Sequence, residues 1–241
     1  MAIVIEDVSG IVDDGDSYTV DQTNDDNLLI AISVEGDADE GQTIDTHTHA
    51  GTAFTNEAFE ENAVGTNAIY SHAGWIPDAS ITAGSQTYVS QLSNLSPSIG
   101  HASVLLSLSG AHQTAPVVSD ESFVQNGVSV MPTHTFSATA GQLIVYVGQI
   151  NKSGTNFTLP ADNGSDSWVS QLEPWTVGGN FLDGFVYTLL ATETHTAATA
   201  VAGENKGGFI CTSHMYVIDQ AAVGGGGISI PIVMHHRRQM Q

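Results

Sequence analysis

Apolar residues recur at every second position in several separate stretches of this chain, and this alternation restricts its possible folds. Successive side chains on a β-strand point to opposite faces of the sheet, so an alternating stretch predicts a strand with one buried face. The stretches with this pattern are Leu28 to Val34, Val104 to Leu108, Leu143 to Val147, Phe185 to Leu189 and Phe209 to Val217. They predict an all-β protein.

Turn-forming residues separate these strands. Clusters of Gly, Asn, Asp and Ser, such as Asp13 to Asp16 and Asp162 to Ser165, supply the backbone conformations that tight turns need. Only Thr55 to Val64 is predicted as a short helix, because three glutamates surround its apolar residues. Many short strands in a chain of 241 residues indicate a β-sandwich or jelly-roll-like single domain with one compact core.

A short polar motif, Thr-His-Thr, occurs three times, beginning at Thr46, Thr133 and Thr194. The spacings between the copies are unequal. The motif is therefore interpreted as convergence between strands and not as a structural repeat.

The charge of the chain is strongly acidic, with 26 Asp and Glu against 4 Lys and Arg, for a formal net charge of −22. Such a surface repels phosphate backbones, so no nucleic-acid partner is expected. No stretch approaches the roughly 18 consecutive apolar residues of a membrane span, so no membrane partner is expected either. The single cysteine, Cys211, cannot form an intrachain disulfide.

A glycine run, Gly224 to Gly227, precedes an unusual C-terminal segment. The chain is predicted to divide into an N-terminal strand or arm at 1–26, a sandwich body at 27–222, and a linker with an extended docking arm at 223–241. The predicted docking residues are Ile228, Ile230, Pro231, Ile232, Met234, His235, His236, Arg237 and Arg238. Their apolar alternation and their positive charge favour docking on a partner. The alternative is a last strand that folds back on its own body.

Motifs for catalysis or for a cofactor were not found in the sequence, which has no G-x-S-x-G elbow and no phosphate-binding loop. The protein is therefore predicted not to be an enzyme and to need no cofactor. The one metal candidate is the pair His47 and His49, which point the same way on a strand. Their spacing from Gly41 resembles the first cupin motif, but Ala53 and Phe54 stand where its glutamate belongs. The alternative is that both histidines flank a polar strand end.

Three tryptophans, Trp75, Trp168 and Trp175, are candidates for a platform that stacks on sugars. They would then support a carbohydrate-binding β-sandwich. The alternative is that they are anchors of the hydrophobic core, because a sequence does not show which rings are exposed.

Four segments together resemble a loose group of β-sandwich proteins found among phage structural genes: Asn27 to Gly36, Tyr70 to Pro77, Ala102 to Pro116 and Phe136 to Val147. The segment Ile230 to Gln239 also looks like the C-termini of small virion proteins. The resemblance carries no catalytic residue. It implies a capsid decoration (cement) protein, or a tail, neck or host-adsorption component, made in the cytoplasm of a host bacterium. Its implied partners are the major capsid protein or neighbouring virion subunits, and its implied state is a homo-oligomer, with a trimer favoured.

Overall fold

A computed structural model of the chain describes residues 2–10, 15–20, 27–37, 41–64, 67–93, 100–152, 155–177 and 182–221. Its regular elements are sixteen strands and one 3-10 turn, Asp78–Ser80, and the strand pairs within its sheets are antiparallel. The predicted all-β fold is confirmed. No helix in these ranges is long and apolar enough to cross a membrane. The predicted arm, with all its candidate docking residues, lies outside the described residues.

The first half of the chain contains nine strands. They are β1 (Val4–Val8), β2 (Ser17–Val20), β3 (Leu28–Asp37), β4 (Ile44–His49), β5 (Thr52–Ala53), β6 (Thr55–Val64), β7 (Asn67–Pro77), β8 (Gly84–Leu92) and β9 (Gly100–Ser109). Both β1 and β2 belong to the segment predicted as an N-terminal strand or arm, and β1 pairs with β9.

The second half contains seven strands. They are β10 (Val117–Val128), β11 (His134–Ala138), β12 (Leu143–Ile150), β13 (Val169–Val177), β14 (Leu182–Leu190), β15 (His195–Ala200) and β16 (Phe209–Ile218).

The two halves share one strand order. The first has a long sheet in the order β1-β9-β3-β7-β6 and an outer sheet in the order β2-β8-β4-β5. The second has a long sheet in the order β10-β16-β12-β14-β13 and an outer sheet of β11 and β15. Each position in the first long sheet has a counterpart in the second, and the counterparts follow the same order along the chain. The order in the first half is that of a jelly roll. The chain therefore forms two sandwiches of the same strand order in tandem. The described part of the second outer sheet has no counterpart of β4 and β5.

The two long sheets pack against each other and form the middle of the molecule. Their shared central core contains Leu28, Ile30, Ile32 and Val34 from β3, Val104, Leu106 and Leu108 from β9, and Leu143, Val145 and Val147 from β12. A second core lies between the long and outer sheets of the first half, where a smaller cluster around Tyr70 accompanies it, and a third lies between those of the second half. The single core expected from the sequence is thus divided into three layers.

This layering explains a difference from the sequence prediction. The predicted alternating faces are correct, because each set enters one core. However, β12 and β16 are buried at every position and not on one face only. A sheet that is covered on both sides buries both of its faces, as in parallel sheets packed between helices.

The predicted helix at Thr55 to Val64 is wrong, because this segment is the strand β6. It forms a hairpin with β7 that begins at the pair Val64 and Asn67 and continues to Thr55 and Trp75. Pairing with a neighbouring strand outweighs the weak local preference of glutamate for a helix.

Candidate functional site

The two histidines considered as metal candidates lie on β4, and both are buried. The Nε2 atom of His47 is 3.1 Å from the Tyr88 hydroxyl, whereas Nε2 of His49 is 3.4 Å from the carbonyl oxygen of Tyr18. Each ring therefore faces a different protein group. Among the described residues there is no group of three or more His, Cys, Asp or Glu side chains that could hold a metal ion.

Two of the three tryptophans considered for a sugar platform have described side chains, and these are placed differently. Trp168 is only 4% exposed, and its ring meets the rings of Phe136 and Tyr146 edge-on at centroid distances of 6.1 and 6.2 Å. Trp75 is half-buried against the central core. The side chain of Trp175 lies outside the described residues. Trp168 is thus an anchor of the third core and offers no ring face to a sugar.

Polar side chains fill much of the second core, in the first sandwich. We call them the hydroxyl–histidine cluster, and its members are Ser33, His47, His72, Tyr88, Ser90 and Ser103. The Ser33 Oγ atom lies 2.6 Å from the Tyr88 hydroxyl and 2.9 Å from Ser103 Oγ. His72 Nε2 is 3.0 Å from Ser90 Oγ. Each of the six is buried.

Contacts between serine and histidine resemble activated nucleophiles, but this cluster is closed to substrates. Burial lowers the pKa of His72 well below 6.5, and nearby His47, His101 and His214 add to the effect. His72 is therefore a neutral imidazole at pH 7. A network of buried, mutually hydrogen-bonded groups stabilises and positions the sheets.

The matching place in the second sandwich is aromatic. Ser33 is paired with His72 across β3 and β7, and the corresponding pair across β12 and β14 is Gly148 with Phe185. Gly148 makes room for the ring, because a Cβ atom there would lie 2.6 Å from Phe185. Phe185 stacks on Tyr187 at 4.5 Å. One strand arrangement therefore encloses a polar interior in the first sandwich and an aromatic one in the second.

Polar groups also join the two halves. The Asn62 amide donates to the carbonyl oxygens of Gln125 and Cys211 at 2.8 and 2.9 Å. Ser71 Oγ and His214 Nε2 are 2.5 Å apart, and burial lowers the pKa of His214 to about 4. Burial raises the pKa of the Cys211 thiol to about 11, so this thiol is not an ionised nucleophile at neutral pH.

An open groove runs between β10 on one side and β11 and β15 on the other. Its volume is about 650 Å³, and it is lined by residues 118–121, 135–139 and 194–197. Buried Phe136 and Met215 belong to its apolar floor, and Asp120 and Glu121 bring carboxylates to one wall. The volume lies in the range of about 300–1,000 Å³ that is typical of binding sites.

A buried carboxylate supports one end of this groove. Asp166 accepts hydrogen bonds from the Thr192 amide at 2.8 Å and from the Thr192 hydroxyl at 2.5 Å. Its Oδ2 atom is also 2.9 Å from Nε2 of His195, a groove residue. Burial opposes ionisation, but these hydrogen bonds outweigh it and lower the pKa of Asp166 below 3.8. His195 belongs to the third Thr-His-Thr motif, but no pattern in the sequence links this motif to Asp166.

Replacing Asp166 by Ala is expected to lower the free energy of unfolding at pH 7 by about 1–3 kcal/mol, because the Thr192 amide and hydroxyl and the buried His195 ring lose their charged acceptor. Because the folded-state pKa is depressed, this stabilisation is present at neutral pH and is lost as the pH falls below 3.8. Urea unfolding would measure both effects. Asp162→Ala, at an exposed position four residues earlier, is the matched control. Equal stability of the two variants would contradict this role.

The described residues gather polar groups in two main places, the hydroxyl–histidine cluster and the groove. The cluster is closed, whereas the groove is open to a partner. The chain matches no protein-family model, no curated protein and no solved structure.

Proposed function

We propose that the chain is a non-enzymatic structural subunit of a virus particle, most specifically a decoration protein that joins neighbouring subunits of a capsid. The observation that carries this proposal is the pair of jelly-roll-type sandwiches packed through their long sheets. Jelly rolls recur in viral capsid proteins, in lectins and in cupins. All three classes share this fold, so the chemistry of the candidate sites must discriminate among them.

The candidate sites favour a viral structural protein over a lectin or a cupin. A cupin requires several metal ligands around one ion, and His47 and His49 instead face separate protein groups. A lectin requires exposed ring faces, and Trp168 is buried. Side chains of the protein itself fill the interiors of both sandwiches, which is the arrangement of a rigid building block.

The distribution of charge supports attachment through the C-terminal segment. All 26 acidic residues precede residue 222, and only Lys152 and Lys206 offset them there, so residues 1–221 carry a formal charge of −24. Residues 222–241 carry two arginines and no acid. A positive segment on an acidic body suits contact with acidic neighbours, and many copies on a lattice make weak contacts effective.

Removing residues 228–241 tests this proposal. The truncated chain is expected to fold with an unchanged melting temperature, because none of the described strands is removed. It is also expected to be lost from purified particles, whereas the full chain sediments with them. Particle fractions analysed by quantitative mass spectrometry would measure both chains in one preparation.

A double substitution, Arg237→Ser with Arg238→Ser, is the matched control for chain length. It is expected to reduce incorporation while keeping all residues in place. Incorporation of the truncated chain at the level of the full chain would show that the C-terminal segment does not attach the protein.

A further inference from the structure

Strand β10 is an exposed edge of the molecule. It lies at the end of its sheet, and in the described part of the chain it pairs only with β16. Val118 and Val124 on this strand are 49% and 41% exposed, and Val130 just beyond it is 67% exposed. A long edge strand with exposed apolar side chains is a surface to which another chain can add a strand, and proteins usually cover such edges.

The groove lies directly beside this edge. Its floor is apolar where Phe136, Met215 and Val217 meet it, and Asp120 and Glu121 of β10 stand on its wall. Asp120 is exposed, and the Glu121 side chain is about one-third exposed. A strand added to β10 would have the groove and the negative charge beside its part opposite residues 118–121, and exposed Val124 beside its part farther along β10.

Residues 228–238 have the chemistry that this surface would bind. Ile228, Ile230, Ile232 and Met234 share one parity. In a strand added to an edge, the backbone N–H and C=O groups of every second residue bond to the neighbouring strand, and those of the residues between them point to the open side. Pro231 has the other parity, so its missing N–H group would fall on the open side. Arg237 and Arg238 follow and complement the acidic wall.

The reach of the linker limits which copy can supply this segment as an antiparallel strand. Val117 lies opposite Ile218, so the chain leaves its own body beside the start of β10. An antiparallel strand that places Arg237 opposite Asp120 begins about 40 Å away, near the other end of β10. Residues 222–227 span at most about 25 Å when fully extended. A parallel strand from the same chain is within reach, but it would carry the arginines away from Asp120.

We propose that residues 228–234 of a second copy of this chain add to β10 as an antiparallel edge strand, with Arg237 and Arg238 beside Asp120 and Glu121. The strand pairs within the described sheets are antiparallel, which favours the same mode for the added strand. This inference rests on the proposed function in one respect, because it names the partner of the predicted docking arm.

Reciprocal charge reversal in the full chain tests this pairing. Asp120→Arg alone, and Arg237→Asp with Arg238→Asp alone, are each expected to raise the dissociation constant for self-association by about tenfold or more. All three substitutions in one chain are expected to restore association to within about threefold of the unmodified chain. Sedimentation equilibrium over a range of concentrations measures these constants.

Asp45→Arg is the matched control, because it changes the net charge equally at an exposed position on β4. It is expected to leave self-association unchanged. Equal effects of Asp120→Arg and Asp45→Arg, or no restoration in the triple variant, would overturn the pairing. A full chain that stays monomeric at all concentrations, with β10 amides protected from hydrogen exchange, would assign the segment to its own body and would also overturn it.

The same variants separate this inference from the proposed function. If truncation at residue 228 abolishes incorporation into particles but Asp120→Arg affects neither incorporation nor self-association, the arm docks on another virion protein and the self-pairing is wrong. If the charge reversals behave as expected in solution but the chain is missing from particles, the pairing holds and the virion assignment is wrong.

Discussion

Lowering the pH from 7.5 to 5 is expected to lower the free energy of unfolding by about 6 kcal/mol, mainly through three buried histidines, His72, His134 and His214. Burial lowers the pKa of His72 well below 6.5, that of His134 to about 3 and that of His214 to about 4. The three rings therefore stay neutral in the folded protein at pH 5. In the unfolded chain all three take up a proton near pH 6.5.

The sign of this effect follows from the direction of the shifts. A histidine with a lowered folded-state pKa contributes its full stability above pH 6.5, and that stability is lost as the pH falls from 6.5 toward the folded-state pKa. Each such histidine lowers the free energy of unfolding by about 1.4 kcal/mol for each pH unit in this window. A total stability of about 5–15 kcal/mol is typical of a folded protein, so the loss is large.

Urea unfolding at several pH values between 7.5 and 5 measures this slope. His214→Gln removes one of the three titrating groups and is expected to reduce the loss between these pH values by about a third. Equal unfolding free energies at pH 7.5 and pH 5 in the unmodified chain would contradict the account of buried, neutral histidines.

Replacing Phe185 by Ala is expected to lower the free energy of unfolding by about 3–5 kcal/mol, because the third core depends on this ring. Phe185 is fully buried, and its centroid lies 4.8 Å from that of Phe157 and 5.0 Å from that of Tyr146. The rigid strands around it cannot close the cavity that Ala would leave. The backbone at Gly148, which lies against the ring, offers no side chain to fill it.

Leu159→Ala is the matched control, since Leu159 is 42% exposed. Its expected cost is below about 1 kcal/mol. Urea unfolding of both variants at pH 7.5 gives the comparison. A cost at Phe185 as small as that at Leu159 would mean that the aromatic interior of the second sandwich is not packed as described.

The sequence pattern was sufficient to predict the strands and their faces. The set Leu28, Ile30, Ile32 and Val34 enters one core, as the alternation predicts. The pattern was not sufficient to predict that other residues of the same strand enter a second core. Leu29 and Ala31 are both buried beneath the outer sheet. Alternation identifies the two faces of a strand, but only tertiary packing decides whether the second face is covered.

The tandem arrangement could not be predicted, because the two halves share strand order and not residues. At one matching position the pairs are Ser33 with His72 and Gly148 with Phe185. The repeated Thr-His-Thr motif would have been misleading, since its copies lie at β4, β11 and β15, which hold different places in the two sandwiches. The groove depends on contacts between strands distant in sequence, so no local pattern marks it.

The most direct test of the central claim is the location of the full chain in purified virus particles. Quantitative mass spectrometry and electron cryo-microscopy of those particles would give its copy number and its position. The account predicts a fixed ratio to the capsid protein and density for the two stacked sandwiches on the shell. Recovery of the chain only in the soluble fraction, at no fixed ratio to any particle protein, would contradict it.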